Sequence, residues 1–105
     1  MITVTICKSG FTVEGHADFK PKGEDIVCAA VSVLTQTALL GLGKYIPDTD
    51  YTIDDTGYLT CTLPEFEKWD VRVEMCTEAI LKTMVLGLKN IEANYPECVK
   101  VKEDD

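Results

Sequence analysis

The chain contains one histidine, His16, and a cysteine twelve residues later, Cys28. A thiolate attacks carbonyl carbon, and an imidazole can take the thiol proton and later return one to a leaving amine. Between the two lie Pro21, Gly23 and several charged residues, immediately before a long apolar segment. If Asp25 is the N-cap of a helix, Cys28 falls in its first turn, where unpaired N–H groups and the positive end of the helix dipole favour a thiolate. The same carboxylate would compete for those N–H groups and repel a negative sulfur, or turn instead toward the imidazole. The residues leave open whether Asp25 caps, orients or opposes.

Ser32 lies one turn beyond Cys28 on the same helix face, within reach of the sulfur or of a substrate carbonyl. A serine bonded to its own helix backbone is the plainer reading. Spacing alone favours the plainer reading of the pair, a surface histidine at a strand end and a buried cysteine.

The elements that must hold these residues are legible from periodicity. Ile2 to Ile6 alternates apolar residues with threonine, Lys8-Ser9-Gly10 signals a turn, and Phe11 to Glu14 resumes the alternation, which predicts a hairpin with His16 at its exit. Ile26 to about Leu42 is too long for a strand and predicts a helix apolar on nearly every face, with Gly41 and Gly43 weakening its end and Pro47 preventing its continuation. Tyr51 and Ile53 at strand spacing, the turn Asp54-Asp55-Thr56-Gly57, and Tyr58 to Leu63 predict a second hairpin.

Pro64 to Trp69 reads as a connector. Asp70 then caps a helix running to about Tyr95, with a stripe of Cys76, Ile80, Met84, Leu88, Ile91 and Tyr95. Pro96 ends it, and Val99 to Val101 supplies a short C-terminal edge strand before the acidic tail Glu103 to Asp105. This order predicts a single α+β domain over residues 1–105, a two-layer sandwich of hairpin, helix, hairpin, helix and edge strand with both helices on one face of the sheet.

Bulk properties narrow the chemistry. With 18 acidic against 10 basic residues and a formal charge of -8 in 105 residues, the chain is ill suited to phosphate backbones, so no nucleic acid partner is expected. A basic polypeptide is a better electrostatic match. Five cysteines, Cys7, Cys28, Cys61, Cys76 and Cys98, are irregularly spaced and contain no C-x-x-C, which argues against a disulfide framework and against a metal site. No basic N-terminal region precedes an apolar core, and Ala29 to Leu42, the nearest approach to a membrane span, is interrupted by polar residues and Gly41. The expected location is the cytoplasm, with no membrane partner.

Gly15-His16-Ala17, followed by Gly23, Asp25-Ile26-Val27-Cys28-Ala29-Ala30 and Ser32, resembles the bacterial ribosomal-processing cysteine protease family, Prp. Ile2-Thr3-Val4 at the start, the Asp54-Asp55-x-Gly57 turn and a late helix ending near Ile91-Glu92-x-x-Tyr95 fit the same family in order and length. The resemblance implies an endopeptidase without cofactors that removes the N-terminal extension of large-subunit ribosomal protein twenty-seven. It makes Cys28 the nucleophile and His16 the general base and acid, with Gly15, Asp25 and Ser32 in support. It also implies a homodimer and a mobile loop over the active site. Two rival readings are a non-catalytic, acidic ribosome-assembly module in which Cys28 is structural, and a redox sensor built on an exposed, activated thiol.

Overall fold

The computed structural model describes residues 1–16, 25–54, 57–64 and 70–104. The loop expected between His16 and Asp25, the centre of the Asp54–Gly57 turn, most of the 64–69 connector and Asp105 lie outside those residues.

Strict alternation places Ile2, Val4 and Ile6 of strand β1 (Ile2–Cys7) on one face, and Phe11 and Val13 of β2 (Gly10–Gly15) join them across an antiparallel ladder. β4 (Leu59–Thr62) pairs with β2 and adds Leu59 and Cys61 to the same face, and β3 (Asp50–Ile53) pairs with the far side of β4. β5 (Val99–Glu103) runs parallel to β1, which gives a mixed five-stranded sheet in the order β3-β4-β2-β1-β5. The edge strand is longer than Val99–Val101, because Glu103 is held by Lys89 at 2.8 Å and stays in register opposite Ile6.

Two helices, α1 (Ile26–Tyr45) and α2 (Val71–Asn94), pack against each other and share one apolar core with the sheet, which makes the two-layer α+β sandwich. Val27, Val31, Ala38, Leu39 and Leu42 are the buried apolar side of α1. Each valine or leucine among them contributes about 1.5–3 kcal/mol by leaving water. Thr35 and Thr77, the two buried polar residues among those described, return their hydroxyls to the carbonyls of Val31 and Val73 at 2.8 Å and so leave nothing unsatisfied.

Three further details depart from the sequence expectation. α1 continues three residues past Leu42 to Tyr45, with Ile46 as its C-cap just before Pro47: Gly41 lies against Ile80 of α2, where a Cβ would stand at 3.5 Å, and Gly43 faces open space. Gly87 makes the reciprocal approach to Leu34. The buried stripe of α2 is rotated onto Thr77, Met84, Val85 and Leu88, with Cys76 only half-buried at its margin. Finally, α1 is long and apolar enough to cross a bilayer by length and composition, contrary to the sequence expectation. In the fold its buried face instead covers the sheet, while Ile26, Val33 and Leu40 line the opposite face at 60–74% exposure.

Candidate active site

β2 carries the backbone to His16 only because Gly15 can take φ +92, and a Cβ there would collide with the Met1 carbonyl across the ladder. Gly15 is therefore fixed by the backbone geometry at the end of β2. His16 follows at once, exposed, at the end of β2.

The sheet then brings a second turn to the same place. Continuing the β2–β4 register past Val13 and Leu59 sets Gly57 opposite Gly15. Gly57 has φ +87, and a Cβ on it would stand 2.7 Å from the Gly15 carbonyl oxygen, 3.0 Å from His16 Cε1 and 3.4 Å from His16 Nδ1. The imidazole thus lies against a backbone that has room for it only because residue 57 lacks a side chain. Asp54 braces this turn, its N–H donating to the Tyr58 carbonyl at 3.0 Å and its carboxylate accepting from the Tyr58 N–H at 3.2 Å.

Cys28 stands in the first turn of α1, half-buried, with part of its side chain against the core. Asp25 is the N-cap: its Oδ1 accepts from the N–H groups of Val27 and Cys28, each at 3.0 Å. Among the three roles left open by the sequence, the structure shows capping. One consequence is that these two N–H groups are engaged by a carboxylate that sits beside the backbone of Cys28. Any oxyanion that uses them must displace it.

Ser32 is exposed one turn further along α1, and its carbonyl accepts from the Thr35 hydroxyl at 3.4 Å. The other thiols differ in kind. Burial pushes the Cys61 thiol up to about 11, which suits core and not catalysis. Cys7 touches the Ser9 hydroxyl at 3.1 Å at the far end of the first hairpin, and none of the five cysteines is in a disulfide.

Thus the structure joins Asp25 to Cys28 and His16 to Gly57. The second relationship is invisible in the sequence, where Gly57 marks a turn and nothing more. Its signal is the left-handed glycine after paired aspartates, but its meaning depends on strand order.

Comparison with known proteins identifies the family and the fold. The family model described as cysteine protease Prp matches residues 1–100. The ribosomal processing cysteine protease Prp of Bacillus subtilis is 29% identical over 110 residues, covering 96% of both chains. Two crystal structures of the Staphylococcus aureus Prp protease are similar throughout, each at 28% identity and covering 99% of this chain and 100% of theirs. One holds a covalently linked product peptide and superposes with a TM-score of 0.74, and the other holds a substrate peptide and scores 0.68. From its first strand to its last, the chain belongs to the cysteine protease Prp family.

Proposed function

We propose that the chain is a single-domain cysteine endopeptidase of the cytoplasm that trims the N-terminal extension of large-subunit ribosomal protein twenty-seven, with Cys28 as nucleophile and His16 as general base and acid. The observation that carries this reading is Cys28 in the first turn of α1, in a chain whose fold matches a relative captured with its product peptide covalently attached. A covalent product is what a thiol nucleophile leaves behind.

In the proposed reaction the Cys28 sulfur bonds to the scissile carbonyl carbon while its proton passes to His16. The tetrahedral intermediate expels the amine, which takes the proton from His16, and an acyl-enzyme remains. Water then attacks the thioester carbon, gives one proton to His16, and the C–S bond breaks to release the acid and restore the thiol. The Val27 and Cys28 N–H groups can hold the intermediate's oxygen once the Asp25 carboxylate swings aside. An acidic chain of net charge -8 suits a basic ribosomal protein as substrate.

The enzyme works as a homodimer in this reading, joined through the outward stripe of Ile26, Val33 and Leu40 on α1. Incubating the ribosomal protein with its extension and analysing the products by mass spectrometry tests the function. A single cut that disappears with Cys28→Ala and His16→Ala is expected. Trimming that persists with Cys28→Ala would refute it.

A further inference from the structure

The candidate site includes the turn of the second hairpin but not its outer strand. β3 is one of the two sheet edges. Tyr51 pairs with Cys61 and Ile53 with Leu59, and both partners are buried toward the helices. Opposed residues in a ladder share a face, so Tyr51 and Ile53 also point to the helix side. They are nevertheless 60% and 46% exposed. The sheet therefore reaches one strand beyond its helices and ends in an uncovered apolar shelf.

The backbone of the same two residues faces outward. The bond from the Asp54 N–H to the Tyr58 carbonyl sets the phase of the β3–β4 ladder, so Asp54, Thr52 and Asp50 bond to β4. Tyr51 and Ile53 then direct their N–H and C=O groups to the open edge. The opposite edge is treated differently, because the Val101 N–H of β5 donates to Glu92 Oε2 of α2 at 2.7 Å. Among the described residues no side chain does this for β3.

Charge and position indicate what fits. Between Lys44 and Lys68 the chain has no basic residue, while Asp48, Asp50, Asp54, Asp55, Glu65 and Glu67 are acidic. The strand runs directly into the turn whose Gly57 lies against His16.

We propose that β3 is the docking strand for the peptide substrate: an extended, basic segment adds along its free edge, with main-chain bonds to Tyr51 and Ile53. Alternate apolar side chains of that segment lie against the Tyr51 and Ile53 side chains. Ile53 serves substrate residues nearer the scissile bond and Tyr51 those further away. This inference rests on the peptidase reading and deepens it.

The test uses a fluorogenic peptide copying the processing junction of ribosomal protein twenty-seven, together with versions N-methylated at single backbone positions. Tyr51→Ser and Ile53→Thr are each expected to raise KM by about tenfold, the effect of exposing part of an apolar contact. N-methylation should abolish cleavage at alternate positions and spare those between, a period-two pattern that side-chain contact alone cannot produce. Iodoacetamide labelling of Cys28, which needs no docked peptide, should be unchanged in both variants. The N-methyl series is read on the unaltered protein and so does not depend on either variant folding. Unchanged KM, or N-methyl effects without alternation, overturns the docking strand while leaving the peptidase intact. Failure of the unaltered protein to cut the peptide, or cutting by Cys28→Ala, overturns both.

Discussion

Gly57 stands where any side chain would press on His16: a Cβ placed on its backbone would lie 3.0 Å from the imidazole Cε1. These residues are forty-one positions apart in sequence, and the β2–β4 ladder alone makes them neighbours. The hairpin turn is thereby a wall of the proposed catalytic site. Gly57→Ala should cost about 1–2 kcal/mol in stability from its left-handed backbone. It should also lower kcat by about tenfold or more with KM little altered, since the ring is displaced rather than the peptide. Gly43→Ala, at an exposed helical position with open space around it, supplies the control and should stabilise slightly. Equal kinetics for the two variants would show that the Gly57 contact does not position His16.

Asp25 caps α1 with the same carboxylate that accepts from the Cys28 N–H. Asp25→Asn keeps a capping oxygen and removes the negative charge, so alkylation of Cys28 near pH 7 should accelerate by about two- to fivefold with stability almost unchanged. Asp25→Ala should cost about 1 kcal/mol in thermal or denaturant unfolding, from loss of the cap. Slower alkylation in Asp25→Asn would assign the residue to orienting the imidazole instead.

Differential labelling separates the thiols. With limiting iodoacetamide near pH 6, Cys28 should react first and His16→Ala should slow it, while Cys61 should react last in the folded protein because it is buried and its thiol is raised to about 11. Peptide mapping of the labelled chain gives the order. Uniform labelling of several cysteines would remove the case for activation at α1.

Cys61 also sets an alkaline limit. Its folded pKa lies above the ordinary thiol value of 9.0, so the protonated thiol favours folding at and below pH 9, and that contribution is lost as pH rises through about 11. Unfolding free energy should therefore fall across this window in the parent protein. The Cys61→Ala variant is less stable near neutrality because of the cavity, and the difference between the two should narrow as pH approaches 11. Parallel pH curves would place the alkaline loss elsewhere.

Leu40 is 74% exposed on the outward face of α1. Leu40→Glu should convert a dimer to a monomer in light scattering without loss of helix content, since the residue is no part of the core. A parent protein already monomeric at micromolar concentration would exclude the α1 interface.

Much of this molecule is readable before any coordinates. Period-two alternation in Ile2–Ile6 and Phe11–Glu14, the Asp25 and Asp70 caps, and the prolines after each helix mark the elements nearly to the residue, because those signals are local. Cys28 in a helical first turn follows from Asp25 three residues earlier, and His16 at a strand exit follows from the hairpin. The end of α1 is misread from sequence because Gly41 looks like a helix terminator unless Ile80 is known to lie against it.

Local signals along the chain thus establish which elements form, which residue types can do chemistry and where they fall. Strand order is a different matter: β4 inserts between β2 and β3, and that arrangement brings Gly57 to His16 and leaves Tyr51 and Ile53 on an uncovered edge. The assembled fold also shows that Asp25 commits its carboxylate to the N–H groups of Val27 and Cys28. Caps and periodicity depend on neighbours a few residues away, whereas strand order and the reach of a sheet beyond its helices depend on how distant apolar faces meet in one core.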